Sequence, residues 1–206
     1  MATSPDTLAP LRDFVIGMTR LADDAGLDEP VRIARARGLL ATLLRDDTWL
    51  PDACAQPHPD FYQQYLLHCD PLERFSVVSF VWGPGQRTPV HNHEVWGLIG
   101  MLRGVEIGQR YRREADGVLV ADGAAERLEP GDIDVVSPAT GDIHVVENAY
   151  TDRVSISIHV YGANIGAVKR HVFDPVTGLA KPFVSGYSSA FVPNLWDRSA
   201  QVRGQA

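Results

Sequence analysis

Phe75-Ser-Val-Val-Ser-Phe-Val-Trp82, closed by Gly83-Pro84-Gly85, is the stretch on which the fold of this chain turns. Its residues are β-branched and aromatic, and the turn behind it stops it sharply, so it reads as a strand. Similar runs follow at Val95 to Met101, Val105 to Tyr111, Val118 to Val120, Ile133 to Val136, His144 to Glu147 and Val154 to Tyr161. Turn signals separate them: Arg103-Gly104, Ala115-Asp-Gly117, Asp122-Gly123, Glu129-Pro-Gly131-Asp132 and Pro138 to Gly141. Short strands at near-regular spacing predict an all-β sandwich or barrel.

Upstream the period changes. Leu8, Leu11, Phe14, Val15, Met18 and Leu21 recur at steps of three and four, the stripe of a helix that Gly26 is placed to stop. A second helix is announced by Asp28 as N-cap and Pro30 in its first turn, with Val31, Ala34, Leu39, Leu40, Leu43 and Leu44 on its apolar face. Downstream of Asp174 the prolines and glycines (Pro175, Gly178, Pro182, Gly186, Pro193) predict an extended wrap over a sheet edge. The expected organisation is a helical segment over 1–50 packed on a β-barrel over 51–206, together one structural domain.

Composition narrows the function. The chain has 206 residues, 45% hydrophobic and 22% charged, the balance of a globular protein with a sizeable core. A net charge of −7 gives no general attraction to nucleic acid or to an anionic membrane. No apolar run approaches the ~20 residues that span a bilayer, and the start MATSPDTLAPLRD has neither the basic nor the apolar region of a signal peptide. Cys54 and Cys69 stand in no metal or redox spacing. A disulfide framework is therefore not expected, and a reducing cytoplasm is the expected compartment.

Gly85-Gln-Arg-Thr-Pro-Val-His91-Asn92-His93-Glu94-Val95-Trp96-Gly97 carries the chemistry. Residues two apart on a strand share a face, so His91 and His93 are expected to converge on one metal ion. Glu94, between that face and the next, should point away. A third imidazole, His144, follows the turn in Pro138-Ala-Thr-Gly141-Asp-Ile-His144. Three imidazoles suit iron, zinc, copper or nickel, and leave the charge of the ion uncompensated, which favours an anionic ligand. Further on, alternation in Val154-Ser-Ile-Ser157-Ile-His159-Val-Tyr161 puts a hydroxyl, an imidazole and a phenol on one face, which either meets solvent or lines a polar cavity. Such a chain fixes an imidazole tautomer and aims the phenol. Asn92 and Asp142 sit beside the ligands, and Trp82 and Trp96 are candidates for the cavity wall or the core. Arg110, Arg112 and Arg113 read as a solvated edge, and His58, His68 and His171 as structural or surface groups.

The glycine, five residues, His-x-His pattern and the later proline–glycine turn before His144 resemble the two motifs of the cupin superfamily. The resemblance implies a mainly β fold, a cupin double-stranded β-helix (jelly-roll barrel) with N-terminal helices. The usual cupin glutamate is missing, Gly97 standing in its region, and the second motif is slightly stretched between Pro138 and Gly141. With the Ser-His-Tyr strand added, the stretch from Tyr62 to Tyr187 is similar to the thiol dioxygenases of the cysteine dioxygenase family. That likeness implies a mononuclear non-haem Fe(II) held by His91, His93 and His144, and conversion of a thiol to a sulfinate with both atoms of O₂. Gln64 stands where animal members carry a substrate-gripping arginine, and no cysteine near Gly97 is available to bond Tyr161. Both departures resemble the bacterial subgroup similar to 3-mercaptopropionate dioxygenase, in which the arginine matching Arg170 is implicated in carboxylate recognition. The resemblance thus implies Arg170 and Gln64 as substrate-binding residues, Tyr161, His159 and Ser157 as catalytic ones, and a small thiol carboxylate with O₂ as partners. A zinc or manganese cupin isomerase of sugars and a non-catalytic ligand-binding cupin are the alternatives.

Overall fold

The computed structural model describes residues 7–189 and 199–205. Twelve strands form two curled antiparallel sheets, and two helices cover one of them. The first sheet runs in the order β1 (Gln63–Cys69), β2 (Ser76–Trp82), β10 (Ser155–Tyr161), β4 (Gly97–Arg103), β8 (Ile133–Val136). The second runs β12 (Ala180–Phe183), β11 (Arg170–Phe173), β3 (Val90–His91), β9 (His144–Asn148), β5 (Glu106–Arg113), β6 (Leu119–Ala121), with β7 (Glu126–Leu128) also paired to β5. Every pairing is antiparallel and most neighbours are distant in sequence. This is the expected double-stranded β-helix.

The covering helices are α1 (Ala9–Asp23) and α2 (Glu29–Leu43); a short α3 (Ser199–Arg203) lies near the C-terminal end of the described residues. The α2 N-cap is as expected: the Asp28 carboxylate accepts from the Val31 N–H at 2.9 Å. The α1 stop differs, because the chain leaves the helix at Asp24, ahead of Gly26. Arg32 of α2 takes over the freed carbonyls, donating to Leu21 O, Asp24 O and Leu27 O. Phe14, Met18, Leu40 and Leu43 then pack with Val77, Val81, Leu98 and Ile158 of the first sheet in one buried cluster. Gly100 permits the approach: a Cβ there would meet Leu44 Cδ1 at 2.7 Å and Leu40 Cδ2 at 2.9 Å.

Four strands depart from the sequence expectation, the three-residue β7 among them. β1 lies in a segment with no alternating apolar pattern. β11 lies just ahead of the expected edge-wrapping tail and β12 falls within it, and they pair with each other from Arg170↔Phe183 to Phe173↔Ala180. β11 also pairs with β3, so it closes the second sheet against the His-x-His stretch. Pro193 lies outside the described residues.

Candidate metal centre

Two residues of β3 and one register pair decide the arrangement. His91 ends β3 and lies opposite His144, the first residue of β9. His93 lies past the strand end, so strand alternation is not what aims it, which corrects the sequence reading. Its direction comes instead from Asp142, whose carboxylate accepts from the backbone N–H of both His93 and Glu94 at 3.0 Å. The second bond holds Glu94 at φ 61°, a left-handed turn that swings its side chain outward to Asn92 (2.8 Å) and His171 (3.2 Å). As expected, Glu94 is not among the converging groups.

The three imidazoles meet: one ring nitrogen of each of His91, His93 and His144 lies within 4.8 Å of the others, and all three side chains are buried. The rings stand 4.8 to 4.9 Å apart and steeply tilted. Two of the tautomers follow from the hydrogen bonds. His91 Nδ1 faces Pro89 O at 3.0 Å and His93 Nδ1 faces Asp142 O at 3.2 Å. A carbonyl only accepts, so each Nδ1 carries the proton and each Nε2 offers a lone pair. Burial lowers the pKa of all three imidazoles, His91 to about 4, and their mutual repulsion lowers His93 and His144 further. They are neutral bases at neutral pH. Three converging neutral imidazole donors with a backbone-fixed tautomer fit a borderline divalent ion.

The cavity in front of them holds about 170 Å³. From the first sheet come Gln64, Phe80, Trp82, His159 and Tyr161; Arg170 enters from β11. The Tyr161 phenol oxygen and His159 Nδ1 are hydrogen-bonded at 2.8 Å, and His159 Nε2 is 2.8 Å from Ser157 Oγ. Ser157 itself lies behind His159 and does not line the cavity. Phe80 stacks on His159 at 4.0 Å, and Tyr161 stacks on His93 at 5.5 Å. Burial pushes the Tyr161 phenol well above its ordinary range and brings His159 down to about 3, so both are neutral. At Gly97 a Cβ would come within 2.8 Å of Tyr161 Cδ1, so the missing side chain is what lets the phenol ring sit flat there.

Arg170 is 3% exposed and has no carboxylate partner among the described residues. Its Nη2 donates to Ser185 Oγ at 2.7 Å, its guanidinium lies over Phe183 at 4.6 Å, and its Nε has no partner. Among the described residues no Asp or Glu lines the cavity. A buried cation without a counter-charge calls for an anion from outside.

No known family model matches the chain. Among solved structures it is similar to a double-stranded β-helix domain protein from Klebsiella pneumoniae (20% identity over 56% of this chain and 89% of that one, TM-score 0.41). It is also similar to a cupin superfamily protein from Desulfitobacterium hafniense (15% identity, 55% and 89% covered, TM-score 0.42) and a cupin 2 barrel protein from Salinispora arenicola (22%, 54% and 83%, 0.39). These likenesses are distant; the fold rests on the strand order and register above.

The eight sequence-nominated site residues thus gather around one cavity, seven in its lining and Ser157 one step behind. Trp82 belongs to the wall, whereas Trp96 packs under the helices. Arg110 is tied to Asp134 and Arg112 to Glu114, as an edge cluster would be. Sequence reasoning missed Phe80 and Ser185. Phe80 shares parity with Trp82 on β2, a signal that was available.

Proposed function

We propose that this protein is a thiol dioxygenase that oxidises a small mercapto-carboxylate, 3-mercaptopropionate or L-cysteine, to its sulfinate with O₂ at a mononuclear Fe(II). The observation that carries the reading is Arg170: a buried guanidinium, without a carboxylate partner among the described residues, sharing one small cavity with three neutral imidazoles and a phenol. His91, His93 and His144 would hold the ion. When bound, ferrous iron supplies the redox chemistry that brings dioxygen to sulfur. Sugar isomerisation or neutral-ligand binding would leave the guanidinium without a counter-charge.

The chain's own residues then have distinct tasks. Arg170 pairs with the substrate carboxylate through its free Nε–H and its Nη groups, and Ser185 and Phe183 keep the guanidinium in place. Holding both ends of a short substrate converts an encounter into a fixed orientation. The Tyr161 hydroxyl is anchored by His159 and faces the same cavity, where it hydrogen-bonds the carboxylate or the reacting oxygen. Phe80 and Trp82 exclude water beside it. Gln64 adds a neutral amide, and among the described residues no acid stands in the lining to meet an α-ammonium group. That ranks 3-mercaptopropionate above L-cysteine.

Steady-state O₂ uptake by the Fe(II)-loaded protein with 3-mercaptopropionate, L-cysteine, mercaptosuccinate and cysteamine tests the reading. The expected order of kcat/KM puts 3-mercaptopropionate first and cysteamine, which lacks a carboxylate, last. A clear win for cysteamine, or no thiol-dependent uptake, contradicts it.

A further inference from the structure

β11 and β12 form a two-stranded ribbon that walls one side of the metal cavity, and its two faces differ. Register sets Arg170 opposite Phe183, and partners across an antiparallel pair share a face. That face, continued by Val172 and Ser185, lines the cavity. Lys169, Pro182 and Val184 have the other parity, and they line a separate hollow of about 260 Å³ outside the ribbon. Arg203 of α3 completes this hollow, its Nη2 donating to Val184 O at 3.3 Å.

Phe183 alone among the described residues lines both spaces. The second sheet ends at β12, so no further strand of that sheet backs the ring. On the cavity side the Arg170 guanidinium lies over it at 4.6 Å. One side chain is thus the partition between an inner space of about 170 Å³ and the outer hollow. Both spaces are cationic. Lys169 and Arg203 are exposed and, among the described residues, neither is in an ion pair and no acid lines their hollow. An anion therefore meets a cation on either side of the ring, with the apolar floor of Pro182, Phe183 and Val184 between.

We propose that Phe183 sets the length limit of the substrate: its ring confines the site to short mercapto-carboxylates that end at Arg170, and closes off an outer anion-binding hollow at Lys169 and Arg203. This rests on the thiol-carboxylate reading for the class of substrate. Removing the ring joins the two spaces. The methylene groups of a longer chain then occupy the volume the ring gave up, and its carboxylate pairs with Lys169 and Arg203. The same change takes the stacking surface from Arg170, so short ligands lose affinity while long ones gain it. A residue that only supported Arg170 would move both in the same direction.

Anaerobic isothermal titration calorimetry on the full-length, Zn(II)-loaded protein reads this without turnover, with 3-mercaptopropionate and 8-mercaptooctanoate as probes. Wild type is expected to bind the long acid about 10-fold or more weakly than the short one, since it overfills the inner space. Phe183→Ala is expected to tighten the long acid by about 10-fold or more, as for a new hydrogen-bonded charge pair, and to weaken the short one. Adding Lys169→Ala and Arg203→Ala should erase that gain, whereas the same two changes in wild type should leave 3-mercaptopropionate binding unaltered. Phe183→Leu should move both affinities the same way by less, and carries the test if the alanine variant folds poorly. Equal affinities in wild type, a loss for both acids in the Phe183 variants, or a gain that survives removal of Lys169 and Arg203 overturns the proposal. A length limit that behaves as expected in a protein that no thiol drives to consume O₂ keeps the partition and removes the dioxygenase reading instead.

Discussion

Ile156, Ile158 and Val160 leave β10 on one side of the first sheet; Ser157, His159 and Tyr161 leave it on the other, and all six are buried. The first set joins the helices in the main apolar cluster, where shape and volume decide stability. The second set faces the imidazoles and the cavity, where each polar atom must find a partner in a low-dielectric setting. One strand thus carries the core and the site back to back. The alternation that supplies rigidity on one side fixes hydrogen-bond distances on the other.

The largest effect separating the two sides should come from single His91→Ala, His93→Ala or His144→Ala changes. Each is expected to reduce bound metal and O₂ uptake to background while the metal-free fold survives, as followed by metal analysis and circular dichroism. Ile158→Ala, on the opposite face, should cost about 2–5 kcal/mol in denaturant unfolding. The metal bound per folded molecule should be unchanged.

Acid should act most strongly on the cavity side, although burial also holds His68 of β1 below its ordinary range. His91 and His159 are held near 4 and near 3, about 4 and about 3 as buried bases, against 6.5 when exposed in the unfolded chain. Below about 6.5 the unfolded chain binds protons that the native one refuses, so stability falls as pH drops towards about 4. His91 alone should remove roughly 3 kcal/mol over that window from the metal-free protein. Ile158→Ala should lower the whole stability curve without changing its pH shape. A curve flat from neutral to acidic pH would mean that the imidazoles are hydrated.

Much of this comparison was legible in the sequence, because alternation is a local property. The Ser157–His159–Tyr161 face, the strand ending at Trp82 and the Asp28 cap all follow from spacing and residue type. What was not legible depends on distant segments. β1 reads Gln63-Gln-Tyr-Leu-Leu-His-Cys69, without a clean period, and becomes a strand because the β2 edge offers it partners. β11 is four residues long and is ordered by closing on β3 and β12. His93 owes its aim to Asp142, forty-nine residues away, a contact that no local rule contains.

Smaller effects sharpen the division of labour within the site. Asp142→Ala should weaken metal affinity by about 10–100-fold by releasing His93, with kcat of the fully loaded protein less affected. Titration with the metal at constant protein concentration reads this directly. Tyr161→Phe should keep metal content and lower kcat by about 10-fold or more, as expected for one lost hydrogen bond to a charged group. Arg170→Gln should instead raise KM for carboxylate thiols and leave cysteamine turnover nearly unchanged.

Oxygen-isotope labelling addresses the central claim most directly. The Fe(II)-loaded protein is given 3-mercaptopropionate under ¹⁸O₂, and the product is weighed by mass spectrometry. The account predicts a sulfinate carrying both labelled atoms. A product with one labelled oxygen, a disulfide alone, or no consumption of O₂ would contradict it.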